Sequence, residues 1–465
     1  MRIALVSANR EQLPDAVVPL GMLYVMAAVA DRHEVRLLDL CFEPDPLHAL
    51  KTFLDDFQPQ LVGIGLRNLQ NADYSGCVGN VSYYRSLVET VRKHSEAPVV
   101  LGGGGFSILP RQLMLELRPD YGISGEGEQG LARLALALES GERPEVVPGL
   151  LYFVEEQLRE SASTAGFVEL DSLRPPDKSV VDPRYFSISG TDSIQTKRGC
   201  PLHCDYCTYP TIEGRTIRQR TPSAVVDEMF ATLSLRPEIR HFFIVDSVFN
   251  LPPSHAKQVC RELIQRSWTT PWTCYANPIG FDGELAGLMV EAGCSGIEVG
   301  SDSGVDAVLD RLRKGFRAER ILALHEDCKA AGLRDCHSFI LATIGETLDD
   351  VHRTLDFCAA MDPFAAIMGI WTDDVEAVDP VLAQERRRLR SQTEELISRR
   401  RDEFPRWIVP SIGVNFDARL FRLLRKTGLR GPLWQYLDRM PATAVPARSA
   451  GAGARVGGGS SPTGV

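Results

Sequence analysis

Cys200, Cys204 and Cys207 stand within eight positions in KRGCPLHCDYCTYP, residues 197–210. Three thiols on one loop can hold a metal, and the identity of the metal turns on the fourth ligand. A closed structural zinc site needs four protein ligands. No further cysteine or paired histidine stands at finger spacing, and His203 is the only nearby candidate. Three thiolates instead suit three corners of a four-iron, four-sulfur (4Fe-4S) cluster whose fourth iron takes an outside ligand.

A second set of unusual residues falls at strand ends. Apolar runs at 2–8, 34–40, 60–66, 97–103 and 120–126 read as strands, with helical patterns at 20–32, 46–57, 82–95, 109–118 and 128–140. Such alternation predicts a doubly wound parallel sheet, whose ligands bind at the carboxyl ends of the strands. Arg67 and Asn68 follow the third run; Gly102, Gly103, Gly104 and Gly105 end the fourth; Gly125 and Glu126 close the fifth. No GxGxxG motif follows the first run, which argues against a dinucleotide.

From residue 193 a second alternation begins, with strands expected at 193–198, 241–247, 271–277, 294–300, 336–344 and 365–371. Helices are expected at 222–235, 254–267, 283–292, 318–331 and 347–361. Six repeats fall short of the eight of a closed barrel, so a partial (β/α)6 TIM barrel is expected. The cysteines directly follow its first strand. Residues 1–145 form the expected Rossmann-like first domain, 146–190 a linker with a small hairpin at 149–160, and 191–372 the partial barrel. A C-terminal helical region covers 373–440, and the Gly- and Ala-rich stretch 441–465 reads as a disordered tail.

Composition bounds the function. The 465 residues exceed what one core holds, so two domains are expected. Lys plus Arg is 51 against Asp plus Glu at 61, a net charge of −10, which argues against a nucleic-acid partner. The arginine run of 380–404 reads as a solvated helix face. No apolar run reaches the length of a membrane span, and MRIALVSANR turns charged too early for a signal peptide, so a cytoplasmic protein without a membrane partner is expected. The eleven scattered cysteines fit reduced thiols or metal ligands.

The cysteine loop, with Tyr206 just before the last cysteine and placed after the first strand of a partial barrel, resembles the radical S-adenosylmethionine (SAM) superfamily. VDSVFN (245–250), GIEVGSDSG (296–304) and FILATIGET (339–347) stand where that family's strand-end cofactor motifs stand. The resemblance implies that Cys200, Cys204 and Cys207 ligate the cluster and that its open iron binds SAM. It also implies that Tyr206, Asp246, Ser247, Glu298, Ser301, Asp302, Thr343 and Gly345 line the SAM site. Ala342-Thr343-Ile344-Gly345-Glu346 departs from the Gly-Xaa-Pro-Gly-Glu of many relatives.

With a doubly wound domain in front, the chain up to about residue 370 resembles the cobalamin-binding, methyltransferase-like (class B) branch of that family. The branch implies cobalamin beside Arg67, Asn68, Gly102 to Gly105, Gly125 and Glu126. The Asp-Xaa-His-Xaa-Xaa-Gly motif that places a histidine under cobalt is missing, and His33 and His48 read as ordinary surface histidines. The activity implied is methyl transfer to a carbon of a small molecule in secondary metabolism, with an electron donor such as a flavodoxin or ferredoxin. A cobalamin-dependent cyclase or rearrangement enzyme shares every motif. A non-catalytic cobalamin or iron–sulfur sensor would need a DNA-binding or signalling module, and none is legible after the barrel. Trp371, Trp407, Trp434 and Tyr436 are expected at the barrel mouth.

Overall fold

The computed structural model describes residues 1–70, 79–142, 144–161, 167–372, 379–416 and 418–439. Five strands, β1 (Arg2–Ser7), β2 (Glu34–Asp39), β3 (Leu61–Gly65), β4 (Val99–Gly102) and β5 (Tyr121–Ile123), lie parallel in the order β2-β1-β3-β4-β5. β1 is apolar on both faces because both faces are covered. Ile3 and Leu5 pack with Val29, Leu131 and Leu134 from helices Leu20–Val29 and Gly127–Ser140. Ala4 and Val6 pack with Leu50, Leu54, Leu87, Val91 and Leu113 from helices Pro46–Phe57, Val81–His94 and Pro110–Leu117. The Pro46–Phe57 helix starts where its period predicts because Asp45 caps the His48 amide and proline opens the first turn.

The expected hairpin, β6 (Leu150–Val154) and β7 (Gln157–Glu160), adds two antiparallel strands to the β5 edge of this sheet. Residues 173–186, within the expected linker 146–190, are built into the contact between the two halves. Lys178, Val181, Tyr185 and Phe186 are buried. Lys178 pairs with Asp192 and donates to the Ser193 carbonyl at 2.9 Å, while Tyr185 donates to Asp39 at 2.7 Å. A buried lysine demands such partners, and the prolines hid that requirement from the sequence pattern.

The second sheet begins with β8 (Thr191–Ile194), shorter than the run expected at 193–198. The chain then bends, and β9 (Lys197–Arg198) pairs antiparallel with β10 (Arg218–Gln219). Asp246 forces that bend by accepting the amides of Thr196 at 2.8 Å and Lys197 at 3.3 Å. β11 (His241–Ile244), β12 (Trp272–Ala276), β13 (Cys294–Asp302), β14 (Asp335–Leu341) and β15 (Ala365–Ile370) follow in parallel. A seventh short strand, β16 (Trp407–Ile408), extends the sheet beyond the six expected, in the order β16-β15-β14-β13-β12-β11-β8. The barrel is open, with β8 and β16 at its edges.

Residues 429–437 close the floor of this barrel. Gly431 donates to the Ser189 carbonyl at 3.2 Å, Arg334 donates to the Gln435 carbonyl at 2.7 Å, and the Trp434 indole donates to Glu298 at 2.9 Å. A Cβ on Gly296 would come within 2.6 Å of the Trp434 ring, so the inward-facing glycine of β13 makes room for it. Trp434 and Tyr436 therefore belong to the amino-terminal ends of the strands, which corrects their expected place at the mouth. Trp407 stacks on Phe404 with centroids 4.3 Å apart. Of the four aromatics only Trp371, directly after β15, stands at the carboxyl ends. The expected tail, 441–465, lies outside the described residues. Among the described residues no helix is long and apolar enough to cross a membrane.

Candidate functional site

The cysteine loop is held from both ends and from its middle. Gly199, at φ +90°, has no room for a side chain, because a Cβ would meet the Thr216 carbonyl at 2.1 Å. Glu213 accepts from the Gly199 amide at 3.3 Å and from Gln195 at 3.0 Å, and Cys200 donates its amide to the Gly214 carbonyl at 3.1 Å. Cys200 is buried against Val248 and Leu251, whereas Cys204 and Cys207 are half-buried and joined by a tight turn, amide to carbonyl 3.2 Å. Burial pushes the thiols of Cys204 and Cys207 up. His203 is exposed.

The arrangement suits a cluster better than a single ion. Thiolates on one tetrahedral zinc would lie about 3.8 Å apart, from bonds of about 2.3 Å. The three sulfurs do not gather within 4.8 Å of one another; among the described residues only His325, Asp335 and His337 do. That trio is accounted for within the protein. Asp335 accepts from His325 at 2.6 Å and from His337 at 3.0 Å, and the other nitrogen of His337 meets the Ser301 hydroxyl at 2.7 Å.

The expected SAM-site residues divide into two groups. Several are engaged inside the protein: Asp246 by the Thr196 bend, Ser301 by His337, and Glu298 by Trp434. Burial raises the Glu298 carboxyl, and the indole N–H opposes that rise. Thr343 donates its amide to Glu346 at 2.7 Å, and burial raises that carboxyl. The Ala342 that departs from the family pattern sits at φ +58° and Gly345 at φ +77°, both in the left-handed region that favours glycine. Arg386 steadies the turn from outside, donating to the Ala342 and Thr343 carbonyls, the latter at 2.8 Å. It belongs to the helix Pro380–Arg400, whose arginines were expected in solvent, and a charge run gives no sign of which member turns inward.

Other groups at the strand ends keep capacity for a ligand. The Ser247 hydroxyl after β11, the Trp371 indole N–H after β15 and one Glu346 oxygen after β14 are buried without a partner. Such atoms cost free energy unless a bound molecule satisfies them. Tyr206 and Trp371 meet edge to face at 6.0 Å, which sets the Trp371 indole beside the cysteine loop, and Val248, next to Ser247, packs on Cys200. Tyr206 donates to Asp302 at 2.6 Å, and Asp302 pairs with Lys314 at 2.8 Å. Lys314 lies in a turn without strand or helix period, so sequence patterning missed it.

The glycine run of the first sheet is a close-packing device. A Cβ on Gly103, at φ +92°, would meet the Leu66 carbonyl at 2.7 Å, and one on Gly105 would meet it at 3.1 Å. Gly102 ends β4, and Gly104 and Gly105 open a short helix, Gly104–Ile108. Ser107 on that helix accepts the Gly125 amide at 2.9 Å. Glu126, expected at a cofactor, instead accepts from Arg218 at 2.8 Å and from the Val168 amide at 2.8 Å. Arg67 is exposed and makes no ion pair among the described residues, while the Asn68 carbonyl accepts from Tyr84 and Asn80. Two buried groups at this edge lack partners, the Asn9 amide nitrogen and the Tyr83 hydroxyl, which suits a ligand rich in amides. His33 is buried at the opposite end of the sheet between the Met1 amino group and Glu139, which corrects its expected surface place; His48 is exposed.

The two edges face each other. Helix Gly104–Ile108 packs on helix Tyr209–Glu213, which follows Cys207, and a Cβ on Gly104 would lie 3.5 Å from the Ile212 side chain. Buried ion pairs lock the contact: Arg198, two residues before Cys200, reaches Glu128 at 2.7 Å and Glu126 at 3.4 Å.

A doubly wound sheet whose ligand edge abuts a three-cysteine loop on an open parallel barrel defines a two-domain cofactor enzyme. The chain matches the B12 binding domain over residues 7–135 and the Radical SAM superfamily over residues 194–358. It belongs with the radical SAM enzymes that carry a B12-binding domain in front of the barrel. It is 28% identical over 428 residues to tryptophan 2-C-methyltransferase of Streptomyces laurentii, covering 77% of this chain and 70% of the relative. Anaerobic magnesium-protoporphyrin IX monomethyl ester cyclase of Synechocystis is 27% identical over 360 residues, 76% of this chain and 68% of the relative. Among solved structures, the radical SAM methyltransferase TsrM of Kitasatospora setae, with tryptophan and a SAM analogue bound, superposes with a TM-score of 0.72 at 28% identity. That match covers 79% of this chain and 72% of the other.

Proposed function

We propose that this enzyme uses a 4Fe-4S cluster, SAM and cobalamin to transfer a methyl group to a carbon of a small molecule. The observation that carries the reading is the contact of Gly104 with Ile212, which sets the cobalamin edge of the first sheet against the cluster loop. Reacting atoms must approach within about 3–3.5 Å, so the donor and acceptor sites have to share one cavity. When bound, the cluster and SAM supply one-electron chemistry and cobalamin carries the methyl group. The chain's own work is placement. Cys200, Cys204 and Cys207 hold the cluster, Ser247 and Trp371 offer their unpartnered donors at the mouth, and the Thr343 to Gly345 turn shapes its wall. On the facing edge, Arg67, Asn68 and the Gly102 to Gly105 backbone would hold cobalamin. Tryptophan 2-C-methyltransferase and the TsrM structure, both methyltransferases, support this reading. A flavodoxin or ferredoxin as electron donor, a cytoplasmic setting and the lack of a nucleic-acid partner complete the proposal.

The test is isotopic. Anaerobically reconstituted enzyme, given SAM labelled in its methyl group, tryptophan as a first probe and small-molecule extract as a second, is expected to place label on carbon in a low-molecular-weight product. Product formed without label would move the assignment to a cyclase or rearrangement enzyme.

Cobalamin is further expected without a histidine below cobalt, since the Asp-Xaa-His-Xaa-Xaa-Gly motif is missing and, of the three histidines of the first domain, His33 lies at the opposite end of the sheet, His94 ends the helix Val81–His94, and His48 is exposed in the first turn after the outermost strand β2. Paramagnetic resonance of the cob(II)alamin form should lack nitrogen superhyperfine splitting from an axial base. Splitting that vanishes in His33→Ala or His48→Ala would overturn this.

A further inference from the structure

We propose that Lys314 is a positioning residue for the cysteine loop, and that its buried ammonium raises the reduction potential of the cluster the loop carries. The inference rests on the cluster assignment above.

Lys314 sits in the turn after helix Asp306–Arg311, and its side chain is 4% exposed. Its ammonium lies 2.8 Å from an Asp302 oxygen and donates to the Tyr206 hydroxyl at 3.3 Å, while Tyr206 donates to the same Asp302 oxygen at 2.6 Å. The three groups form a closed triangle with one corner on the cysteine loop. The ammonium is also 5.6 Å from the ring centroids of both Tyr206 and Phe316, a cation held between aromatic faces. The same turn grips the loop through its backbone, because the Asp205 amide donates to the Leu312 carbonyl at 3.1 Å. The Tyr206 ring packs against Val305, Val308 and Leu312. Asp302 adopts φ +61°, an uncommon conformation for a residue other than glycine, and the triangle holds it there.

The triangle places one fixed cation close to the cluster ligands. Tyr206 stands between Cys204 and Cys207 and directly before the latter, and its hydroxyl is the atom the ammonium meets. Reduction adds one electron from an external reductant and breaks no bond, leaving the cluster one charge more negative. A nearby cation in a low-dielectric setting favours that state. The carboxylate of Asp302 works in the opposite sense.

The experiment is a potentiometric titration of reconstituted holoenzyme with dithionite as reductant, followed by paramagnetic resonance and paired with iron analysis. Lys314→Met is expected to keep its iron and to shift the reduction equilibrium at least tenfold toward the oxidised cluster, about 59 mV for a one-electron couple. Lys314→Arg should restore the native potential. Asp302→Asn should shift the equilibrium the other way, a reversal of sign that mere damage to the loop would not produce. If Lys314→Met loses iron while Lys314→Arg retains it, positioning is upheld and Asp302→Asn decides the electrostatic part. Native potentials in both Lys314→Met and Asp302→Asn overturn the proposal. A wild-type protein that binds no iron–sulfur cluster would instead defeat the cluster assignment, and this inference with it.

Discussion

Replacing Cys200, Cys204 and Cys207 together by alanine is expected to abolish iron binding and all SAM-dependent turnover. Among the described residues the loop has no substitute thiol, because the other described cysteines are buried in the two cores or between strands and helices. The fold should survive, because the loop is anchored by Glu213, Gly199 and the Tyr206 triangle rather than by metal. Native circular dichroism with loss of the absorbance near about 400 nm, where thiolate-to-iron charge transfer falls, is therefore the expected pair of results. Iron content equal to wild type in the triple variant would remove the basis for the site.

The second large effect is expected far from any thiol. Glu126 and Glu128 supply the carboxylates that face Arg198 and Arg218 across the domain contact. Changing both to alanine strands two cations in a contact where Arg198 is 7% exposed. Breaking a buried pair from one side costs about 3–5 kcal/mol. The cheapest relief is for the domains to shift apart, and a misplacement of about 1 Å can lower a rate about 100-fold. Glu126→Ala/Glu128→Ala enzyme should therefore hold wild-type iron and cobalamin yet lose about 100-fold in methyl transfer. Loss of cobalamin alone would instead return Glu126 to the cofactor site where its sequence context first placed it.

The partners of Glu126 show where sequence legibility stops. Both sheets were readable, because a strand covered on both faces leaves an unbroken apolar run and each crossover helix leaves its own period, as in β1 and Pro46–Phe57. The cysteine loop was readable because its ligands are local in sequence. What was hidden depends on side chains meeting across long separations. The partners of Glu126 lie on β9 and β10, 72 and 92 positions later, and Lys314 meets Tyr206 across 108. Asp246, Ser301 and Glu298 carry the expected chemistry in type, yet each is engaged by a neighbour whose position no periodicity reports. Trp434 was misplaced for a related reason: an apolar aromatic after the barrel can close either end of it, and only the space at Gly296 selects the floor.

The floor also governs the order in which this chain can mature. β8 and β11 are among the first barrel strands to leave the ribosome, yet a Cβ on Gly431 would come within 2.9 Å of the His241 ring, so that backbone is the lid on their lower ends. During synthesis the barrel's lower opening stays wet until residues 429–437 emerge. Domains generally fold as units, amino-terminal first. The first domain can thus be complete, with its ligand edge formed, while the barrel still waits for the segment that seals it.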